Sequence, residues 1–287
     1  MNYTNFILNY LKQTHKFVNM FLVPGFEPVI REENGEIKKI LEIKLTEKDT
    51  KEILLTLRNT ASIPKTPTIK EIFSFGLSEV GRIRVSYFLQ RGSYVINIVK
   101  TPFIIPEPAD IFTDIGEFLD FYEKFSQQKL GIFLILGNRW LSNSTFVYSL
   151  LKLINKKHKK IICTLENPIS YLLRHGNSII IQRDINVDVG SPEEAIKEIY
   201  LLDPDIIYYS SSMQTENISE LEYIDLHKVN IISYPFNSYS IFKEKLENST
   251  SSYFRKIFQK NLKEVVIIKP EQIDGKEKIS FEKVESS

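Results

Sequence analysis

The sequence predicts a two-domain protein of mixed α/β class, in which a small α+β domain precedes a larger α/β domain with a mostly parallel sheet. Three observations support this prediction. The first third of the chain contains alternating strands joined by hairpin turns, a proline-rich stretch follows, and the remainder alternates apolar strands with amphipathic helices. The length of 287 residues also fits two domains. We place the domains at residues 1–100 and 114–287, with a linker over residues 101–113.

The first domain is predicted to contain two helices and two hairpins. Apolar residues at helical spacing indicate helices over residues 2–17 and 46–59, and Thr46 can cap the second helix. The dipeptide Asn34-Gly35 and the segment Gln90-Arg91-Gly92 are typical of tight turns between alternating strands. The predicted strands are residues 19–24, 28–31, 37–43, 82–88 and 93–99.

The linker is predicted to be extended. Pro102, Pro106 and Pro108 lie within ten residues, and each proline fixes φ and lacks a backbone donor. A helix over residues 112–125 is predicted to follow.

The second domain alternates strands and helices. Residues 130–136 form a nearly unbroken apolar run, which is typical of a strand buried on both faces. Alternation of this kind indicates a parallel sheet covered by helices. The remaining predicted elements are helices over residues 144–154, 191–202 and 215–227, and strands over residues 161–165, 179–182, 206–209 and 229–233.

Composition narrows the classes of function. The 37 basic and 36 acidic residues nearly cancel, which argues against a nucleic-acid partner. The single cysteine fits a reducing compartment, and the histidines and this cysteine lack metal-ligand spacing, so we predict no metal site in the protein itself. No apolar run approaches the ~20 residues that span a bilayer, and no secretory leader is evident at the start.

A candidate phosphate-binding loop follows the apolar run. Residues 137–145, Gly-Asn-Arg-Trp-Leu-Ser-Asn-Ser-Thr, match the length and ends of G-x-x-x-x-G-K-[ST]. That motif uses glycines for a backbone cradle, a lysine for the β- and γ-phosphates and a hydroxyl for Mg²⁺. Gly137, Ser144 and Thr145 fit the motif, but Ser142 replaces the second glycine and Asn143 replaces the lysine. Taken alone, the segment also fits an ordinary strand–helix turn.

Six further segments follow one order along the chain. Gly81 to Gly92, GRIRVSYFLQRG, is similar to R-F-R-V-N-x-F-x-Q-R-G and is the most specific match. The others are residues 21–37, similar to a P-P-x-x-R-x-D-G hairpin; residues 164–171, similar to T-I-E-D-P-I-E-Y; residues 182–184, similar to Q-R-E; residues 203–211, similar to the Walker B strand D-P-D-V-I-L-V-G-E; and residues 274–276, similar to D-G-K-G. The series resembles the type IV pilus retraction ATPases, the PilT branch of the type II/IV secretion ATPase superfamily.

This resemblance implies a fold and a set of site residues. The fold would be a PAS-like domain followed by a RecA-like P-loop NTPase domain. The family forms hexamers, but the altered nucleotide contacts between subunits would also allow a monomer or dimer. Glu166 matches the family's candidate general base. Arg82, Arg84 and Arg91 match arginines that reach nucleotide phosphates, although Arg82 and Arg84 also fit an exposed strand face or a domain interface. The nucleotide-binding set implied by the resemblance is Gly137, Asn143, Ser144, Thr145, Arg82, Arg84 and Arg91.

The departures from the family pattern lie at positions that bind or hydrolyse the nucleotide in the family. Asn143 replaces the Walker A lysine, Ser211 replaces the Walker B glutamate, and Pro235 replaces the histidine of the T-L-H-T-N box. Further changes are Asn167 for the Asp-box aspartate, Ser170 for its second glutamate and Met213 for an arginine after Walker B. The family's A-I-R-N-L-I segment is not found before Ser287.

We therefore predict a pseudoATPase that resembles pilus retraction motors and serves as a structural or regulatory subunit. Its predicted partners are further copies of itself, an active pilus motor, or the inner-membrane pilus or secretion platform, and its predicted location is cytoplasmic or peripheral at that membrane. This prediction requires no cofactor. The alternative is a divergent Mg-ATP-dependent motor for pilus retraction, with Glu166 as the catalytic base, and a decaying gene is a third interpretation.

Other side chains allow two interpretations each. Glu166 could simply be a solvated acid at the end of a strand. The basic run at residues 156–160 could bind an acidic partner or lipid, or could form the solvated end of a helix. Trp140 and residues 234–236 place aromatic rings near the predicted cleft, where they could anchor an interface, or instead fill the cleft or pack in the core.

Overall fold

The computed structural model describes residues 3–13, 19–32, 35–63, 66–77, 80–101, 104–185, 187–211, 218–274 and 276–284. The chain divides into two units: Met1–Ile104 with Asp274–Lys276, and Ile105–Ile273 with Glu277–Ser287. Each unit contains one sheet, and the sheet of the second unit is mostly parallel. The predicted α/β class is therefore confirmed.

The first unit is an α+β structure with a six-stranded sheet. Its helices are α1 (Tyr3–Gln13) and α2 (Glu47–Thr60). Its strands are β1 (Asn19–Leu22), β2 (Val29–Arg31), β3 (Ile37–Lys39), β4 (Lys70–Leu77), β5 (Gly81–Gln90) and β6 (Ser93–Thr101). The strands lie in the order β3-β2-β1-β6-β5-β4 with antiparallel pairing.

Two local predictions for this unit can be compared with the structure. Thr46 caps α2 as predicted, because its Oγ1 accepts the backbone N–H of Asp49 and the Asp49 carboxylate accepts the backbone N–H of Thr46. Strand β4 was not predicted, and the turn residues Glu33 and Asn34 lie outside the described residues.

The hairpin between β5 and β6 is confirmed. Gln90 pairs with Ser93, so that Arg91 and Gly92 form a two-residue loop in which both residues have positive φ, 51° and 82°. Such loops match the twist of the flanking strands, and glycine or asparagine adopts positive φ most easily. Arg91 is therefore held in a backbone conformation that its side chain disfavours.

We expect Arg91→Asn to raise the free energy of unfolding by about 0.5 kcal/mol, because asparagine tolerates positive φ better than arginine. Urea denaturation followed by circular dichroism measures the change. Gln90→Asn, in the adjacent exposed strand position, is the control and should not stabilise the protein. A loss of stability in Arg91→Asn would show that side-chain contacts of Arg91 outweigh its backbone strain.

The second unit holds a seven-stranded sheet. Its strands are β7 (Gly131–Leu136), β8 (Ile161–Asn167), β9 (Ile179–Asp184), β10 (Ile206–Ser211), β11 (Val229–Tyr234), β12 (Leu262–Ile273) and β13 (Lys276–Val284). They lie in the order β13-β12-β7-β11-β10-β8-β9, and the pairs from β12 to β9 are parallel.

Among the described residues, two helices precede these strands along the chain and four lie between them. They are α3 (Pro108–Ile111), α4 (Ile115–Ser126), α5 (Trp140–Lys157), α6 (Pro192–Ile199), α7 (Tyr239–Ser249) and α8 (Ser252–Asn261). Short 3₁₀ turns form at Tyr200–Leu202 and Ser219–Tyr223. No helix in the described part of the chain is both long and apolar enough to cross a membrane.

Three predicted elements differ from the structure. The linker is not extended throughout, because Pro108–Ile111 is helical and a proline at the first helical position fits a helix start. The helix predicted over residues 215–227 is a 3₁₀ turn at Ser219–Tyr223, and residues 212–217 lie outside the described residues. Helix α5 begins at Trp140, four residues before the predicted start at Ser144.

The core of the second unit covers both faces of its sheet. Every residue of β7 is buried, as its apolar run predicts. One face packs against a cluster of aromatic rings that includes Phe118, Phe121 and Phe146. Since the central strands are parallel, β7, β11, β10 and β8 all end at one side of the sheet, which we call the carboxyl edge.

Candidate functional site

The carboxyl edge brings together most of the predicted site residues. In open parallel sheets, ligands bind where adjacent strands end and the following loops diverge. Gly137 directly follows β7. Glu166 is the second-to-last residue of β8 and pairs with Ser210 of β10. Asn143, Ser144 and Thr145 lie in the first two turns of α5.

The segment predicted to bind phosphate is mostly helical. Only residues 137–139 separate β7 from α5, because Trp140 already begins the helix. The backbone N–H of Asn143 donates to the carbonyl of Arg139 at 3.2 Å, which is a helical bond. A phosphate cradle needs several free backbone N–H groups curled around an anion, so residues 140–143 do not form that cradle here.

The Asn143 side chain forms hydrogen bonds at the ends of two strands, β7 and β11. Its Nδ2 donates to the carbonyl oxygens of Gly137 at 3.1 Å and Tyr234 at 3.2 Å, and only 2% of the residue is exposed. Its Oδ1 is buried without a hydrogen-bond partner among the described residues. A Cβ at position 137 would lie 2.2 Å from this oxygen, so the close approach of Asn143 requires glycine there.

A carboxylate from β13 lies at the start of α5. Strand β12 runs parallel to β7 and continues past Ile267, the residue paired with the last residue of β7. Glu277, near the start of β13, accepts a hydrogen bond from Ser142 Oγ at 3.1 Å and pairs with Arg139 at 2.5 Å. Arg139 is the N-cap residue of α5, and its side chain makes no capping hydrogen bond.

Glu166 is fully buried in a polar cluster. The Tyr148 hydroxyl donates to its Oε1, while the backbone N–H and the hydroxyl of Ser170 lie 3.1 and 2.9 Å from its Oε2. The Ser170 hydroxyl is also 2.8 Å from Ser144 Oγ. The interpretation of Glu166 as a solvated strand-end acid is therefore wrong, because none of its surface is exposed.

Further hydrogen bonds hold the side chains that surround Glu166. Gln182 Nε2 donates to the Tyr148 hydroxyl at 2.6 Å and to the Tyr171 carbonyl at 2.8 Å. The hydroxyls of Thr145 and Tyr171 are 2.7 Å apart. These hydrogen bonds hold the groups that enclose Glu166, and the carboxyl group has no contact with solvent.

Burial dominates the electrostatics of this cluster. Desolvation raises the pKa of Glu166 to about 7, although the hydrogen bonds from Tyr148 and Ser170 oppose the shift. The pKa of the Tyr148 hydroxyl is raised well above its usual value, first by burial and then by the neighbouring Glu166. Glu166 can therefore change its protonation state near neutral pH.

The residues at this edge do not fit a Mg-nucleotide in this arrangement. The Ser144 hydroxyl, which corresponds to the Mg²⁺ ligand of the motif, is fully buried against Ser170. Asn143 offers a neutral amide already bonded to two carbonyl groups. The described residues contain no group of three or more His, Cys, Asp or Glu side chains that could hold a metal ion.

The three predicted arginines lie in the first unit. Arg82 and Arg84 are half-buried on one face of β5, and Arg82 donates to Ser74 Oγ. Burial lowers the pKa of the Arg84 guanidinium to about 10. Arg91 lies in the turn, about 23 Å along the strand from Arg84 at ~3.3 Å per residue, so the hairpin does not bring all three together.

Aromatic residues at the end of β11 belong to the core. Tyr234 and Phe236 are buried with ring centroids 5.8 Å apart, and the Tyr234 hydroxyl donates to Glu220 at 2.8 Å. The core interpretation is therefore confirmed for these two rings. Nothing is described of the side chains of Trp140 and Ser211, and Met213 lies outside the described residues.

The basic run at residues 156–160 closes α5. Lys157 lies over the Tyr122 ring at 4.9 Å, and His158 Nε2 is 2.9 Å from the Tyr122 hydroxyl. Lys160 pairs with Asp205 at 3.5 Å. These contacts, together with the exposure of the other lysines, fit a solvated helix end.

Comparison with known proteins shows what the chain is similar to. No protein-family model matches the chain. It is 25% identical over 190 residues to the type IV pilus ATPase PilU of Pseudomonas aeruginosa, a match that covers 66% of this chain and 48% of PilU. It is also 25% identical over 202 residues to the type IV pilus retraction ATPase PilT of that organism, covering 70% of this chain and 57% of PilT. The chain spans about half the length of the curated relatives that it matches.

Solved structures agree on the fold. The crystal structure of the pilus retraction motor PilT with bound ADP superposes with a TM-score of 0.74 at 22% identity, covering 98% of this chain and 82% of PilT. The chain is thus similar in sequence to type IV pilus ATPases and shares the fold of PilT. The ATPase DotB of Yersinia pseudotuberculosis gives a TM-score of 0.72 at 15% identity, covering 99% of this chain and 79% of DotB. The resemblance to the pilus ATPase family and the fold that it implies are thus confirmed.

Some residues at the site were not found from the sequence. Tyr148 was not singled out, since it fits a buried position of α5, and Tyr171, the last residue of the 164–171 match, was given no role. Glu277 was also missed, although its position could have indicated it: it directly follows Asp274-Gly-Lys276, where the D-G-K-G motif of the pilus ATPase family has a second glycine.

Proposed function

We propose that this chain is a pseudoATPase of the type IV pilus ATPase family, which keeps the fold but does not hydrolyse ATP. The observation that carries the proposal is the bonding of Asn143 to the Gly137 and Tyr234 carbonyl groups. In an active phosphate loop, this position supplies a mobile lysine to the β- and γ-phosphates. Here it supplies a neutral group that joins two strand ends.

The chemistry of phosphoryl transfer supports this proposal. Such transfer depends on positioning and on neutralising charge, with little covalent help from the protein. The chain lacks the loop lysine, has Ser211 at the Walker B glutamate position and buries Glu166 completely. Removing one preorganised charge-stabilising group elsewhere costs about 10²–10³-fold in rate, so several losses together leave little activity.

We propose that such a subunit acts through its surfaces. The relatives that it matches are named for the type IV pilus and for its retraction. The proposed partners are further copies of this chain, an active motor of the family, or the cytoplasmic side of a pilus or secretion platform. An intact fold beside altered catalytic positions supports a structural or regulatory role in such a machine.

Nucleotide binding is the first test. We expect no binding heat when about 1 mM Mg-ATP or Mg-ADP is titrated into the folded chain, which places Kd above the millimolar range and the binding free energy at weaker than about −4 kcal/mol. Circular dichroism of the same sample verifies the fold. Micromolar binding would contradict the closed site on which the proposal is built.

An ATPase assay is the second part of this test. The proposal predicts no turnover above a buffer blank for the wild type or for Glu166→Gln. Glu123→Gln, at an exposed glutamate of α4, is the matched control. Turnover that Glu166→Gln abolishes and Glu123→Gln leaves unchanged would overturn the proposal and establish a divergent ATPase.

A further inference from the structure

We propose that the Glu277 carboxylate takes the place of a phosphate at the start of α5, so that the chain's own side chain holds this anion position. The inference rests on the proposed function, because it explains how a subunit without nucleotide satisfies the same helix end. On this view, Glu277 prevents an external anion from binding at the start of α5, and substitution of Glu277 allows such binding.

The contacts of Glu277 are those of an anion at a helix start. Its Oε1 accepts from Ser142 Oγ at 3.1 Å, and its Oε2 pairs with Arg139. Arg139 is the N-cap of α5 and Ser142 is its third residue, so the carboxylate bridges the two sides of the first turn. Negative charge is favoured there, because the helix dipole is positive at this end.

Helix α5 lacks the local devices that other helices of this unit use. Asp114 and Ser191 each accept a backbone N–H at the start of α4 and α6. The Arg139 side chain accepts no such bond, and the first turn of α5 contains no acidic residue. The negative charge therefore reaches this helix from β13, the edge strand that β12 separates from β7.

The position of Glu277 also allows replacement. Its side chain is 30% exposed and that of Arg139 is 53% exposed, so the pair lies where solvent and small anions can reach it. While the pair is formed, an incoming phosphate meets a carboxylate, and the guanidinium is already neutralised. Removing the carboxylate frees a guanidinium and a serine hydroxyl beside the helix start.

Binding of inorganic pyrophosphate tests this inference. We expect Glu277→Ala to bind pyrophosphate about 10- to 100-fold more tightly than the wild type, measured by calorimetry and thermal shift at constant ionic strength. Glu277→Gln, which preserves the shape of the side chain, should show a smaller gain of the same sign. Glu282→Gln is the control, because Glu282 lies on the same strand in an exposed pair with Lys269 and should behave like the wild type.

A double variant locates the effect. Adding Arg139→Ala to Glu277→Ala should abolish the gain, since the freed guanidinium is the group that receives the anion. The inference is overturned if Glu277→Ala and Glu277→Gln, both folded by circular dichroism, bind pyrophosphate no better than the wild type. It is also overturned if the double variant retains the full gain.

The outcomes separate this inference from the proposed function. ATP hydrolysis by the wild type would overturn the pseudoATPase proposal, whatever the pyrophosphate result. A gain of pyrophosphate binding in Glu277→Ala without hydrolysis would support both. Absence of that gain, with no hydrolysis by the wild type, would overturn only the role of Glu277.

Discussion

Replacing Glu166 with glutamine is expected to remove a large pH dependence from the stability of the second unit. We expect the free energy of unfolding of Glu166→Gln, relative to the wild type, to increase by about 3 kcal/mol between about pH 4.5 and pH 8. The cause is the complete burial of Glu166, which raises the pKa of its carboxyl group to about 7 from a value of 4.5 in an exposed glutamate.

The sign follows from proton binding. Between the two pKa values, the unfolded chain has lost the proton of Glu166 while the folded chain retains it. The folded state therefore binds more protons, and its stability falls as the pH rises until the folded group also ionises near pH 7. Glutamine does not titrate, so any fixed cost of the substitution stays constant with pH and the difference isolates Glu166.

Urea denaturation at a series of pH values measures this difference. Trp140 is the single tryptophan of the chain and belongs to the second unit, so its fluorescence reports on that unit. Glu123→Gln, at an exposed position of α4, is the control and should not reproduce the change. A difference between Glu166→Gln and the wild type that does not vary with pH would show that Glu166 is ionised in the folded state throughout, and that its cluster stabilises the charge.

Local sequence patterns, formed by residues close together in the chain, predicted most of the fold. The apolar run of β7, the hairpin at Arg91-Gly92 and the cap at Thr46 were predicted because each depends on residues next to one another in the chain. The start of α5 was not predicted. The match to a phosphate-binding loop placed the helix start near Ser144, whereas residues 140–143 are already helical and Ser142 and Asn143 make tertiary contacts there.

In the candidate site, too, local sequence predicted some features, and tertiary contacts determine the others. The sequence located Gly137, Asn143, Ser144 and Glu166, because a family motif names those positions. It could not predict that Tyr148 and Ser170 enclose Glu166, or that Glu277 reaches α5, since both depend on contacts between elements distant in sequence. Burial, which sets the pKa of Glu166, is likewise a tertiary property.

Substituting Gly137 tests why this loop glycine is present. We expect Gly137→Ala to lower the free energy of unfolding by about 2–3 kcal/mol, because the added Cβ would lie 2.2 Å from Asn143 Oδ1 and 3.1 Å from Ile268. Gly76→Ala is the control, since a Cβ at that position meets no atom within 4 Å. Thermal and urea denaturation measure both effects.

Combining Gly137→Ala with Asn143→Ala shows which contact causes the loss of stability. If the glycine serves the contact with Asn143, then Asn143→Ala removes the clashing oxygen, and adding Gly137→Ala to it should cost about 1 kcal/mol or less. Asn143→Ala alone should cost about 1–3 kcal/mol, because it leaves the Gly137 and Tyr234 carbonyl groups without their donor. Simple additivity of the two substitutions would instead mean that the close approach of Ile268 requires the glycine. Strong coupling would show that a glycine shared with phosphate-binding loops is retained here for packing against Asn143, with no phosphate involved.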